Sequence, residues 1–330
     1  MTPMKYFIVA IVIVGAVLSC SEEFNLIAPK QETPIVFGFL SVTDTAQYIR
    51  VQRAFRDEEI SAIDLAERAD SIYYQDATVT LTDTEDGQVY TLQEVNGNTE
   101  GYPKEEGAFA NDPNTLYKIK TDDIDLVPGR DYTLTINTGE QGMVEVTSTI
   151  TLGTVPDITT PKPDFNFTFS FDDETVFAWR DVDGIEVYDV ILYINIKERD
   201  ITNIDNEFVD RQLRWEIEKN IEDERLFVPG LDFYQFLLIE LDKDPLIVRR
   251  FLDMECEIIG SGPELLDFVN VANANTGITS SGETPIFSNI DGGLGLFSTR
   301  NSARVVDIPL TPRYLDSLQN SQLTQDLNFQ

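Results

Sequence analysis

The chain contains no histidine and only two cysteines, and its 24 Lys and Arg are outnumbered by 58 Asp and Glu. Each shortage closes a class of chemistry. Without histidine there is no unperturbed side chain that changes charge near neutral pH, no Ser-His-Asp or Cys-His arrangement, and none of the commonest metal ligand. Ordinary zinc sites go with it. Two cysteines allow one disulfide at most, and if Cys20 is modified, Cys256 has no intramolecular partner. Cys256 lies in the alternating stretch Phe251–Ile259 between Glu255 and Glu257, neighbours that raise a thiol pKa, so it reads as a buried structural residue. A formal net charge of −34 repels phosphate backbones and excludes nucleic acid as a partner. It also leaves no basic patch with which to grip anionic lipid.

Apolar runs are short as well. The longest, Tyr6 to Leu18, falls below the roughly 20 residues that span a bilayer. It has the length of a signal-peptide core, follows Lys5 and ends on a small residue. The stretch Val17-Leu18-Ser19-Cys20 resembles the bacterial lipobox, which implies cleavage between Ser19 and Cys20 and a diacylglycerol on the cysteine sulfur. Membrane attachment then rests on acyl chains, and two of them suffice. Ser21-Glu22-Glu23 follows, an acidic cluster that resembles the surface-export signal of Bacteroidota lipoproteins. Residues 1–19 are therefore expected to be a signal peptide and 20–34 a lipidated tether.

Beyond the tether, 42% hydrophobic and 10% aromatic residues suffice for folded cores, and the length suggests two domains. The pattern is mostly β. Ile35–Val42 and Tyr48–Ala54 read as paired strands, with a helix-like excursion over Glu58–Ala69 that would turn Ile60, Ile63 and Ala66 to one side. Ala77–Thr82 alternates cleanly, and Val89–Leu92, Leu116–Lys120, Tyr132–Ile136 and Val144–Leu152 follow between turns. Six or seven short strands at this spacing predict an Ig-like, Greek-key β-sandwich over 35–153. The Pro- and Thr-rich segment 154–163 is the expected linker. In 164–330, Phe165, Phe167, Phe169 and Phe171 alternate with polar residues, and Val176–Trp179 precedes the tyrosine-led run Tyr188–Ile196. This order resembles a fibronectin type III sandwich. Asp232–Leu241 and Pro263–Ala272 read as helical insertions, the second opening on a proline suited to a first turn and carrying Leu265, Phe268, Val269 and Ala272 as a stripe.

Candidate sites are few. The acidic turns Asp83–Gly87 and Asp122–Asp125 lack the EF-hand order, so solvated turns are expected in place of calcium sites. Among 58 acidic residues no carboxylate pair stands out for glycoside hydrolysis. Tyr73, Tyr74, Tyr102, Phe109, Phe233 and Tyr234 are candidate members of a sugar-binding platform or else core packing. The glycines in Asn289–Phe297 lack a phosphate-loop ending and suit tight turns and close backbone approach. Arg300 and Arg304, just beyond, offer an anion contact or structural ion pairs. Asp44-Thr45-Ala46, Asp70-Ser71-Ile72 and Asp316-Ser317-Leu318 resemble an O-glycosylation motif of exported Bacteroidota proteins, making Thr45, Ser71 and Ser317 its candidate sites. No catalytic residue, metal ligand or cofactor site is expected.

The lipobox, Thr33–Leu40, the Ala77–Leu81 strand and above all Ser288–Phe297 together resemble a Bacteroidota outer-membrane lipoprotein family. That family is defined by the domain of unknown function numbered four-two-four-nine. Its members are often encoded beside TonB-dependent receptors. The resemblance implies a surface-exposed, lipid-anchored binding or accessory component of a TonB-dependent uptake system, its ligand unspecified. A structural adhesion or envelope-assembly role is the alternative, and a carboxylate-dependent surface glycan hydrolase the last.

Overall fold

Period-two alternation of apolar residues does build most of this molecule. The computed structural model describes residues 33–54, 61–139, 145–203, 205–274 and 286–330. The expected leader, the expected cleavage residues Ser19 and Cys20, and the expected export signal Ser21, Glu22 and Glu23 lie outside the described residues. From the first half come β1 (Thr33–Leu40), β2 (Ala46–Ala54), β3 (Thr78–Asp83), β4 (Val89–Thr91), β5 (Gln93–Asn96), β6 (Thr115–Lys120), β7 (Asp131–Asn137) and β8 (Glu145–Thr151). The second half adds β9 (Asp157–Thr160), β10 (Glu174–Arg180), β11 (Val187–Asp200), β12 (Val209–Ile221), β13 (Arg225–Pro229), β14 (Ile247–Ser261) and β15 (Leu294–Ile308). The fold is mostly β, with few helices.

Two apolar cores organise these strands. In the first, Val36, Leu40, Ile49 and Val51 pack against Val79, Leu81, Leu134, Ile136 and Val146, one sheet facing another. The facing layer is the four-stranded sheet β4-β3-β7-β8. In the second, Phe177 and Trp179 pack against Val190, Leu192, Ile194, Met254 and Ile258. Here the facing layer is β13-β10-β9. Cys256 is fully buried in this core, and burial pushes its thiol pKa up.

The two sandwiches are not separate beads. A single eight-stranded sheet, β12-β11-β14-β15-β1-β2-β6-β5, contributes a layer to each. Its bridging element is β15, whose first half runs parallel to β1 (Leu294–Thr299 on Ile35–Leu40). Its second half runs antiparallel to β14, reaching Ser261 from Arg300. Thr33–Gln330 accordingly form one compact unit. The expected linker 154–163 is corrected too: it carries β9, hydrogen-bonded to β10. Prolines and threonines suggested a boundary there, but an edge strand tolerates both.

The seam is polar and fully paired. Asn301 is buried, accepts from Val42 N at 2.8 Å and donates to Gly153 O at 2.7 Å. Thr299 Oγ1 accepts from Gly153 N at 3.1 Å and donates to Leu40 O at 3.2 Å. The stretch Ser288–Phe297 delivers β15 to this seam. The Asn289 side chain accepts from Phe297 N at 3.0 Å and donates to Phe297 O at 2.6 Å, while Ser148 Oγ donates to Asn289 O at 2.7 Å. Gly295 has φ +124°, and a Cβ there would fall 1.8 Å from Val36 O. The close backbone approach expected of these glycines is met at Gly295, which admits a parallel strand at backbone contact.

The helices differ in part from the expected ones. Gly230–Glu240 buries Phe233, Tyr234 and Leu237. Pro263–Ala274 buries no residue; Phe268 and its neighbours on the stripe are half covered, and Ala272 is exposed. In place of one helix over Glu58–Ala69 there are two short ones, Ala62–Ala66 and Ala69–Ile72. Their buried residues are Leu65, Ala66 and Ile72, while Ile63 is exposed and Ile60 lies outside the described residues. Phe165–Phe171 forms no strand: Phe167 and Phe169 enter the second core and Phe165 is exposed. Among the described residues no helix is long and apolar enough to cross a membrane.

Candidate binding site

Because β1 and β2 send Val36, Leu40, Ile49 and Val51 inward, Phe37, Phe39, Tyr48 and Arg50 stand on the opposite face of the sheet. Phe39 lies beside Tyr48 and Phe37 beside Arg50 across the strand pair. Lys118 of β6 is next in line, opposite Tyr48, and Arg300 rises from β15.

The chain between β5 and β6 walls this face. Asn96 Oδ1 accepts from Asn98 N and Asn114 N at 3.1 Å each, and Asn114 Nδ2 donates to Tyr102 O at 2.9 Å. These amides hold Tyr102 over the sheet with 53% of its surface exposed. Its ring meets Tyr48 edge-on, with centroids 4.9 Å apart at 63°. A cavity of about 300 Å³ lies among Phe37, Phe39, Asp44, Tyr48, Arg50, Tyr102 and Arg300. A second, of about 670 Å³, is lined by Tyr90, Gln93, Glu100, Lys118 and Lys120. Between the two, Glu100 pairs with Lys118 and accepts from Tyr48 Oη at 3.2 Å, and Lys118 Nζ sits 5.4 Å from the Tyr48 ring centroid.

Five cations, Arg50, Lys104, Lys118, Lys120 and Arg300, gather here in a chain otherwise dominated by acid. Burial and the nearby Arg50 hold the Lys104 ammonium below its ordinary pKa. The hydrogen bond to Glu100 raises Lys118, and the same bond lowers Glu100. Partial burial and Tyr48 raise the Tyr102 phenol. Arg300 reaches Asp189 only at 3.7 Å. Arg50 is half-buried and has no hydrogen bond, ion pair or ring contact among the described residues.

The structure thus brings together Tyr102 and Arg300, two candidates far apart in the chain. It adds Phe39, Tyr48 and Arg50, whose alternation marked a strand without showing that their face stays open. The other aromatic candidates divide: Tyr73, Tyr74, Phe233 and Tyr234 are buried, the core-packing alternative of their reading. Phe109 is exposed beneath Lys104, whose Nζ is 5.6 Å from its ring. Arg304 lies elsewhere on the sheet, paired with Glu255 at 2.7 Å and 4.2 Å from the Tyr193 ring.

The acidic turns have structural occupations. Asp83 is buried, accepts from Glu85 N at 2.9 Å and pairs with Arg130 at 2.9 Å. Thr121–Asp123 forms a short 3-10 helix with Asp122 and Asp123 exposed. Among the described residues no group of three or more Cys, Asp or Glu is placed to hold a metal ion. Of the candidate glycosylation sites, Thr45 is exposed in the β1–β2 turn, while Ser71 and Ser317 are half-buried in helices.

The sequence profile of a domain of unknown function, DUF4249, matches residues 22–304. No curated protein matches the chain. Among solved structures, the chain is similar to the FN1–FN3 domains of chicken CNTN1 at 12% identity, over 71% of this chain and 62% of that one, with a TM-score of 0.24. It is also similar to the C-terminal globular domain of an oligosaccharyltransferase from Pyrococcus abyssi, at 10% identity over 70% of this chain and 47% of that one, with a TM-score of 0.23. The chain spans less than two thirds of either structure.

Proposed function

The chain belongs to the DUF4249 family, and from that premise we propose that it is an outer-membrane lipoprotein that captures or presents ligand for a TonB-dependent receptor. In this reading Ser19 and Cys20 flank the cleaved bond, acyl chains on Cys20 hold the protein to the membrane, and Ser21, Glu22 and Glu23 direct it to the cell exterior. The lipobox supports the anchor, and the family match begins at residue 22, just past Cys20. The observation that carries the binding role is the open face of Tyr48, Tyr102, Arg50 and Arg300 around a cavity. Open concave sites with a few aimed polar groups are where proteins hold small ligands.

The same reading takes the two sandwiches as immunoglobulin-like and fibronectin-III-like. Sheets β1-β2-β6-β5 and β4-β3-β7-β8 follow the immunoglobulin strand order, four strands on four. Tyr132, at the start of β7, donates from Oη to Asp125 O at 2.7 Å and accepts from Val127 N at 2.8 Å, the geometry of a tyrosine corner. The second sandwich sets three strands against four, with Trp179 on β10 packed against Tyr188 on β11.

Metabolic labelling with a palmitate analogue, followed by protease treatment of intact cells, tests the anchor and its orientation. Label lost in Cys20→Ser and digestion of the protein on whole cells are expected. Label retained in the variant contradicts the anchor, and complete protection from protease contradicts the outward orientation.

A further inference from the structure

Arg50 poses a question that the fold does not answer. It stands half-buried on an acidic protein, yet no carboxylate, carbonyl or ring among the described residues meets its guanidinium. A guanidinium partly withdrawn from water gains most from a planar, two-oxygen anion, which it grips with two parallel hydrogen bonds. Around it the cavity offers the exposed face of Tyr102, the Tyr48 ring edge, the Arg300 guanidinium and the Asp44 carboxylate.

We propose that this cavity binds an acidic sugar of the uronic acid class, one carboxylate per ring, with Arg50 as its principal carboxylate contact. The inference rests on the binding role proposed above and names the ligand class. Three features select this chemistry. The Tyr102 face suits the apolar C–H face of a pyranose ring, while Asp44 can accept hydrogen bonds from ring hydroxyls. The cavity lies on the face of a sheet whose strands are paired on both sides, which denies an extended peptide the backbone edge it needs for strand addition. The net charge of −34 repels polyanions at long range and so favours a ligand of low charge. A volume of about 300 Å³ is at the small end of ligand sites, near one sugar ring. The larger cavity beyond Glu100 and Lys118 gives a second ring somewhere to lie.

The test is calorimetric titration of the full chain in detergent with D-glucuronate, D-glucose and a disaccharide ending in glucuronate. Glucuronate should bind at least tenfold more tightly than glucose, and Arg50→Gln should erase that difference. Tyr102→Ala, on the exposed wall, should weaken glucuronate severalfold and gives a second reading should Arg50→Gln fold poorly. Tighter binding of the disaccharide than of free glucuronate identifies a chain end as the natural source; equal binding identifies the free sugar, and either outcome supports the site. Equal affinity for glucuronate and glucose, no binding of any probe, or a difference that survives Arg50→Gln overturns it. Receptor co-purification is scored separately, so a failed ligand class and a failed accessory role are distinguishable.

Discussion

Gly295→Ala should separate the two sandwiches at their shared strand, and a second glycine supplies the yardstick. Gly87 also has positive φ, +73°, but nothing lies within 4 Å of a Cβ built there. Gly87→Ala therefore carries only the left-handed backbone penalty, roughly 1–2 kcal/mol. At Gly295 the backbone strain is at least comparable, about 1–3 kcal/mol. The new methyl would also sit 1.8 Å from Val36 O and 2.8 Å from Val36 C. Those are main-chain atoms within the β1–β15 ladder, so relief requires moving one strand off the other. The combined loss is about 3–5 kcal/mol, a large share of the roughly 5–15 kcal/mol of a folded domain. Urea unfolding followed by circular dichroism, with both variants beside the natural protein, measures it. If Gly295→Ala shifts the midpoint no further than Gly87→Ala, the close parallel approach of β15 to β1 is not what this glycine provides.

Other consequences follow from the same contacts. Asn301→Leu leaves Val42 N and Gly153 O without their partner at the seam and should cost about 1–3 kcal/mol for each unsatisfied group in the same unfolding assay. Tyr132→Phe keeps the ring but removes the hydroxyl that joins Asp125 O and Val127 N; a loss of about 1–3 kcal/mol is expected, and no change would mean that water replaces it. Burial alone would raise the Asp83 carboxyl pKa, but the Glu85 N–H and Arg130 hold it below its ordinary value. Its contribution to stability is then present above the unfolded-state pKa of about 4 and fades as the pH falls through the lowered folded value. Asp83→Asn should flatten the acid limb of a stability–pH curve below about pH 4, and an unchanged limb refutes the assignment.

Much of the first sandwich was legible because its strands alternate strictly: Val79 and Leu81 face in between outward threonines, and the structure buries both completely. Buried Cys256 was legible from the two glutamates beside it. Strand β12 was missed although it carried the same signal, with Leu213, Trp215 and Ile217 alternating with Arg214, Glu216 and Glu218; its dense charge belongs to an edge strand with one wet face. The long strand β15 was hidden for another reason. It pairs in parallel with a strand at the opposite end of the chain, and no local periodicity reports a non-local parallel partner. Leu65 displaced Ile63 as the buried residue of its short helix because tertiary packing, not the helical stripe, chose the inward side. At the candidate site, Tyr102 and Arg300 each stood out singly. Their meeting with Arg50 depends on β15 lying beside β1, which only the topology shows.

Affinity purification of the tagged full-length protein from gently solubilised membranes, read by mass spectrometry, addresses the central claim most directly. The account predicts a TonB-dependent receptor recovered in stoichiometric amount. Recovery of the protein alone, under conditions that keep other receptor complexes intact, would contradict the proposed accessory role and shift the assignment to adhesion or envelope assembly.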